Sequence, residues 1–299
     1  MPVSHITVCV CTYKRPQLLG RLLHELAQQQ TEGLFTFSIV VVDNDAQRSA
    51  EAEVLEFAQH AAIPAHYFVE SRQNISLARN KAVAGSQGDF IAFIDDDEFP
   101  TATWLLTLYK TLHAHAVDGV LGPVHPHFDQ GTPEWVIKGG FHDRRTYPTG
   151  FVISGKQGRT GNVLLKRSLC IAEEQPFRPE FRSGEDQDFF ERMIQKGHTF
   201  IWCDEAAAYE TVPPARCKRK FLLRKALLQG TCASVNPANR VRHFARSIVA
   251  IPVYIVAAPF ALLLGQHRSM VLLVKLCDHV GQLLGMMGIN VVREAYVSE

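Results

Sequence analysis

The sequence predicts an α/β fold: a doubly wound, mostly parallel sheet followed by a C-terminal helical, membrane-associating appendage. Three observations predict it. Val- and Ile-rich runs alternate with stretches of helical periodicity from the N-terminus to about residue 215. Several of those runs end abruptly in polar or acidic residues, as strands do where a ligand meets their carboxyl ends. Beyond residue 216 the composition turns basic and then almost purely apolar. We therefore divide the chain into an α/β domain over 1–215 and a helical region over 216–299.

Residues 5–11 form a Val/Ile-rich run suited to a strand buried on both faces. Thr12-Tyr13-Lys14-Arg15-Pro16 turns the chain, and Leu18, Leu19, Leu22, Leu23 and Leu26 then recur at helical spacing, with Pro16 suited to the first turn. A second buried strand over 37–42 ends in Asp43-Asn44-Asp45. A helix over 50–60 is expected to turn Val54, Leu55 and Ala58 inward. A short strand at 66–69 and a helix over 75–84 follow, and Gly85 and Gly88 break that helix. The central strand, Phe90-Ile-Ala-Phe-Ile, runs straight into Asp95-Asp96-Asp97-Glu98.

Alternation along an extended chain predicts Asp95 and Asp97 on one face and Asp96 on the other. Two carboxylates at a strand end suit a hard divalent cation, which takes oxygen ligands and shares them with a substrate phosphate; a solvated acidic turn is the plainer reading. If the strands are parallel, Thr12, Tyr13, Asp43 and Asp95 to Asp97 converge on one rim. Neither GxGxxG nor GxxxxGK[ST] is present, so phosphates must be held by metal and side chains.

A helix over 102–115 carries Trp104, Leu105, Leu108 and Leu112, and a short strand spans 119–124. Residues 125–160 are polar, rich in Gly and Pro and weakly periodic; so long a connection is usually functional. His113-x-His115 and His125-x-His127 lack an acid or Cys partner at zinc spacing and read as surface or loop histidines. Ser183-Gly184 opens a further helix, on which Phe189, Phe190 and Met193 predict an inward Asp186, with Asp188 and Glu191 opposite. An inward acid beside two Phe needs a partner or a task.

Composition narrows the classes. The chain of 299 residues is 46% hydrophobic and 20% charged, with a net charge of +1, so nothing in it asks for nucleic acid as a partner. Its seven cysteines form no CxxC, and an odd count without a signal-peptide pattern fits a reducing cytoplasm.

Past Arg216, Lys218, Arg219, Lys220, Arg224 and Lys225 alternate with Phe and Leu, and Arg240, Arg242, His243 and Arg246 follow. Residues 247–265 carry no charge. Pro252 and Pro259 are expected to interrupt that stretch, with a turn at Gln266-His267-Arg268 before a second apolar segment over 270–292. A hairpin lying in or dipping into the cytoplasmic leaflet, with basic flanks toward anionic lipid, accounts for this better than a true span or a buried packing element.

Taken in order, Val-Cys-Val-Cys-Thr12-Tyr13-Lys-Arg15-Pro16, Val-Val-Asp43-Asn44-Asp45, Asn74-Ile-Ser76-Leu-Ala-Arg79-Asn80, Gly88-Asp89 through Glu98, and Gly184-Glu185-Asp186 resemble the family 2 inverting glycosyltransferases of GT-A fold. Leu121-Gly122-Pro123-Val124, Gly161-Asn162-Val163-Leu164-Leu165 and Glu210-Thr-Val212-Pro213-Pro-Ala-Arg216 are similar to the bacterial succinoglycan-type β-glucosyltransferases. The resemblance implies that Thr12, Tyr13, Arg15 and Asp43 hold uridine and that Arg79 holds the diphosphate. Asp95 would touch ribose or metal, Asp97 would ligate Mg²⁺ or Mn²⁺, and Asp186, beside Glu185, would be the base. The acids run without a gap, so Asp96 rivals its neighbours for either role. The implied reaction moves a hexose, glucose first, from a UDP-sugar to a lipid-linked saccharide, by a peripheral enzyme on the cytoplasmic face of the inner membrane.

That chemistry is consistent with the residues. A cation stabilises charge on the leaving diphosphate, and one separate carboxylate takes the acceptor proton. A sugar nucleotidyltransferase would need a Gly-x-Gly-x-Arg loop after the first strand, which Thr12-Tyr13-Lys14-Arg15 does not supply. A non-catalytic sugar-binding or assembly subunit would not require all of these acids.

Overall fold

The computed structural model describes residues 3–181, 183–233 and 240–289; within helices, the side chains of 232, 233 and 240–243 lie outside the description. That set includes Arg240, Arg242 and His243 of the expected basic flank. Residues 290–299, with the end of the second apolar segment, are outside it too.

The strands are β1 (Ser4–Thr12), β2 (Phe35–Asp43), β3 (Ala65–Val69), β4 (Phe90–Ile94), β5 (Glu98–Pro100), β6 (Gly119–Leu121), β7 (Val124–Phe128), β8 (Asn162–Lys166), β9 (Phe200–Trp202) and β10 (Ala208–Val212). The helices are α1 (Pro16–Ala27), α2 (Glu51–His60), α3 (Ile75–Gly85), α4 (Trp104–His115), α5 (Glu134–Gly139), α6 (Arg167–Ile171), α7 (Glu185–Gln195), α8 (Arg219–Ala233), α9 (Arg240–Ala261) and α10 (Gln266–Met286). The chain forms two compact units, Met1–His125 with Arg144–Glu210, and Pro126–Asp143 with Thr211–Glu299.

In the first unit seven strands form one sheet in the order β3-β2-β1-β4-β8-β6-β9. β8 alone runs antiparallel to both of its neighbours; the other pairings are parallel. Period-two alternation sorts the core. Ile6, Val8, Val10, Ile39, Val41, Ala92 and Ile94 pack with Leu19, Leu22, Leu23 and Trp104 on one face. Cys9, Val40, Val42, Ile91 and Phe93 pack with Ala78, Ala82, Phe177, Phe189 and Phe190 on the other. Helix α2 corrects the sequence expectation: Val54 is buried, whereas Leu55 and Ala58 are exposed. Ala50 and Phe57 pack inward instead.

The strand order reverses between β1 and β4, the switch point at which open α/β sheets hold ligands. Register places Thr12 opposite Asp43 and Cys9 opposite Phe93, so the turns leaving β1, β2 and β4 emerge side by side. Beyond the acids, β5 pairs antiparallel with β10, with Glu98 opposite Glu210.

In the second unit α8 and α10 cross closely. A Cβ on Gly230 would fall 2.1 Å from the Asp278 carbonyl oxygen, and one on Gly281 would fall 2.2 Å from that of Leu227. Val136 of α5 is buried with Val212 and Cys217, which ties the mid-chain segment Pro126–Asp143 to this unit. Helix α9 continues through Pro252 and Pro259. The turn falls at Leu262–Leu264 and Gly265, so Gln266-His267-Arg268 opens α10. This corrects the expected interruption and turn. Two segments, Phe244–Leu264 and Gln266–Met286, are long and apolar enough to cross a membrane; the first is mostly exposed and the second mostly half-buried.

Candidate active site

The turn after β1 is shaped around Lys14, whose φ of 56° lies in the left-handed region that non-Gly residues seldom occupy. Buried Thr12 donates its hydroxyl to Asp96 Oδ2 at 2.8 Å. Arg15 Nη1 donates to Asp96 Oδ1 at 3.2 Å and to Asp97 Oδ2 at 3.0 Å. Tyr13 stays half-buried, with the Lys14 ammonium 5.2 Å from its ring centre.

The three aspartates do not alternate as an extended strand would. β4 ends at Ile94, and Asp95-Asp96-Asp97 lie in a turn. Asp96 and Asp97 both reach Arg15, while the Asp95 side chain remains 44% exposed. Asp96 has both oxygens engaged by Thr12 and Arg15 and so braces the rim. Burial first, then Asp95, Asp96 and Glu210, push Asp97 up to about 7 against the pull of Arg15. Burial, then the Asp95 charge, raises Glu98 well above the usual carboxylate range.

Asp43 is fully buried. Its carboxylate accepts from the Asp45 and Ala50 amides and from the Tyr67 hydroxyl. It thus shapes the loop after β2.

Arg79 and the start of α7 come together through α3. Asn74 caps α3, accepting from the Ser76 and Leu77 amides, and donates to the Pro179 carbonyl. Asn80 donates to the Phe177 carbonyl at 2.7 Å and accepts from its amide at 2.9 Å. These asparagines clamp the segment that leads into α7. Buried Arg79 then pairs with Glu185 and lies 3.8 Å from Asp95 Oδ1.

Here the helix phase differs from the sequence expectation: Glu185 is the buried acid, and Asp186 is half-buried. Phe189, Phe190 and Met193 do face the core, and Asp188 pairs with Arg178 and Arg192. Burial raises the Asp186 pKa; Arg79 opposes this, and Glu185 and Asp95 add to it.

Sequence reasoning did not find Glu98, Arg144, Arg159 or Glu210 as site residues. Arg144 pairs with Glu210 and lies 3.9 Å from Glu98 Oε1, which relieves two like charges facing each other across β5 and β10. Glu98 Oε1 is buried without a hydrogen bond. Burial, then Arg144, lowers the Arg159 pKa, with Asp186 and Glu98 opposing. Gly161 backs the acids: a Cβ there would sit 2.8 Å from Glu98 Oε1 and 3.1 Å from Asp95 Oδ2.

Among the described residues no group of three or more His, Cys, Asp or Glu side chains is arranged to hold a metal by itself. A Mg²⁺-like ion does not require one, since it takes one or two carboxylates and completes its shell with water and substrate phosphate. Half-exposed Asp95 and Asp97, with its raised pKa beside other acids, fit such a partial set of hard oxygen donors.

This combination of a switch-point rim, clustered acids and a separate helix-borne carboxylate is that of a nucleotide-sugar transferase. The profile of Glycosyl transferase family 2 matches residues 7–168, and the chain belongs to that family. It is 35% identical over 228 residues to the succinoglycan biosynthesis protein ExoM of Rhizobium meliloti, covering 76% of this chain and 73% of that protein. The fold is similar to S. aureus TarS 1-349 in complex with UDP-GlcNAc, with a TM-score of 0.54 and 16% identity over 99% of this chain and 95% of that one. It is also similar to the mannosyltransferase PcManGT from Pyrobaculum calidifontis in complex with GDP-Man and Mn²⁺, with a TM-score of 0.62 and 17% identity over 93% and 86% of the two chains.

Proposed function

We propose that this glycosyltransferase moves a hexose, glucose first among candidates, from a UDP-sugar to a lipid-linked saccharide with inversion, in bacterial exopolysaccharide synthesis. The observation that carries the reading is the Arg79 bridge, which brings the acids after β4 and the start of α7 to one place. The likeness to ExoM supports the exopolysaccharide setting, and the UDP-GlcNAc complex of a structural neighbour supports a UDP-sugar donor.

The residues divide the work. Asp97 and Asp95 hold Mg²⁺ or Mn²⁺, which when bound supplies positive charge against the leaving diphosphate. Arg79 adds a fixed guanidinium beside Asp95. Tyr13 and the loops shaped by Thr12, Arg15, Asp96 and Asp43 receive the nucleoside. Asp186 accepts the proton of the acceptor hydroxyl as that oxygen attacks the anomeric carbon opposite the departing UDP. A raised pKa suits a base that must carry a proton at the end of the step. Glu185, occupied by Arg79, is a positioning residue and not a second base.

The second unit seats the enzyme on the cytoplasmic face of the inner membrane, where a lipid-linked acceptor is presented. Exposed Val249, Val253, Val256, Phe260 and Leu263 on and after α9 support this. Incubation with crude lipid-linked saccharide and a panel of UDP-sugars, with mass spectrometry of the product and NMR of its anomeric linkage, tests the proposal. A β-linked hexose from UDP-glucose is expected; no product from any UDP-sugar would refute it.

A further inference from the structure

Helices α9 and α10 enclose a polar cluster that the transfer chemistry does not use. An open-sided cleft of about 470 Å³ is lined by Arg246, Val249, Ala250, Val253, Tyr254 and His279, together with Ala245. Arg246, Ala250 and Tyr254 stand at i, i+4 and i+8 on α9 and so share one stripe. Tyr254 stacks on His279 with ring centres 5.7 Å apart. The cleft is thus apolar on its walls, with one guanidinium and one imidazole.

The imidazole is held by a directed chain of hydrogen bonds. Gln282 Nε2 donates to Asp278 Oδ2 at 2.8 Å. Buried Ser247 donates its hydroxyl to Gln282 Oε1 at 3.2 Å, and its oxygen lies 3.0 Å from His279 Nδ1. Because the serine proton goes to Gln282, the serine oxygen is an acceptor toward the ring, and His279 Nδ1 carries the hydrogen. Every donor in the chain points toward the Asp278 carboxylate, which fixes the orientation of the ring. Among the described residues Nε2 has no hydrogen-bond partner, which leaves it for an outside one; when protonated it donates.

Position supplies the second argument. Arg246 lies 17 residues before Leu263, about 25 Å along a helix. A hairpin that seats Leu262–Leu264 in the acyl layer therefore leaves Arg246 near headgroup level, since the hydrocarbon core is ~30 Å thick.

We propose that this cleft binds the phosphate head of a bilayer lipid bearing a phosphomonoester. The Arg246 fork takes two phosphate oxygens and His279 Nε2 a third, which a monoester offers and a diester does not. The apolar walls take the first carbons of the acyl chains. The inference rests on the membrane seating of the second unit given above.

The test uses the full chain in flotation with vesicles of phosphatidylcholine alone, or mixed with phosphatidic acid or with phosphatidylglycerol at matched surface charge. The wild type is expected to bind the phosphatidic acid vesicles roughly tenfold more tightly than the phosphatidylglycerol ones. Arg246→Gln, at an exposed position, and His279→Gln should each abolish that preference while binding to phosphatidylglycerol vesicles stays at the wild-type level. The phosphorus NMR line of phosphatidic acid should shift with the wild type and not with Arg246→Gln. Equal wild-type binding to both anionic vesicles, or a preference that survives Arg246→Gln, overturns the phosphate site and leaves membrane seating intact. Failure of the wild type to bind any vesicle overturns the seating itself, and the site with it.

Discussion

Arg79 and Glu185, 106 residues apart in sequence, form a buried ion pair that joins α3 to the first residue of α7. The same guanidinium lies 3.8 Å from Asp95, so one cation connects the acids of the central strand with the helix that carries Asp186.

Breaking this pair should be costly in two separable ways. Glu185→Gln or Arg79→Gln leaves one buried charge uncompensated, a loss of about 3–5 kcal/mol in a buried pair. Urea unfolding should show it. Arg79→Met with Glu185→Leu should recover much of the stability and none of the transfer activity, because Asp186 and the diphosphate then lack their fixed neighbour.

The proposed metal site at Asp95 and Asp97 predicts metal-dependent activity. EDTA should stop UDP release, and added Mn²⁺ should restore it. Asp97→Ala should weaken Mn²⁺-dependent UDP binding by tenfold or more, roughly the loss of one charge-assisted contact. Calorimetric titration of UDP with Mn²⁺ present checks this; unchanged affinity removes Asp97 from the ligand role.

Glu98 predicts a pH dependence of stability. Its folded-state pKa is raised, so over the range between the unfolded value of about 4.3 and the higher folded value the native state binds the extra proton. Stability from this group therefore falls as pH rises through that window. Glu98→Gln should remove the slope and be more stable than wild type at alkaline pH, with the gap shrinking toward acid. Thermal unfolding in EDTA across pH measures it; parallel curves for the two proteins would contradict the assignment.

The apolar hairpin predicts that Leu262→Ser, Leu263→Ser and Leu264→Ser together, at exposed positions, release the chain from membranes without lowering its melting temperature. Sedimentation with membranes and thermal unfolding are the two readouts, and a triple variant that still sediments places the anchor elsewhere.

Much of this architecture is legible in the sequence, because buried strands declare themselves by Val and Ile runs and the switch point follows from parallel pairing. The phase of α7 was not. A helix turns about 100° per residue, so a reading anchored on Phe189, Phe190 and Met193 leaves Glu185 and Asp186 hard to separate, and the Arg79 bridge decides which is buried. Asp96 escaped the alternation rule because β4 stops at Ile94 and the acids follow a turn. Arg144 and Arg159 sit in a stretch without periodicity, and only the fold brings them to Glu98 and Asp186. Asn74 and Asn80 stood in a recognised motif, but their clamp on residues 177–179 is a tertiary contact that spacing cannot show. Pro252 and Pro259 lie inside α9, although proline in a helix interior removes a backbone donor and usually breaks or kinks the helix.

The division of labour between the acids is tested most directly by Asp186→Asn. UDP binding in the presence of Mn²⁺ and transfer from the UDP-sugar should be measured on the same preparation, beside wild type. We expect unchanged UDP affinity and a transfer rate lower by ~10²–10⁴, the range a lost general base commands. Near-normal transfer by Asp186→Asn would contradict the assignment of the base and the mechanism built on it.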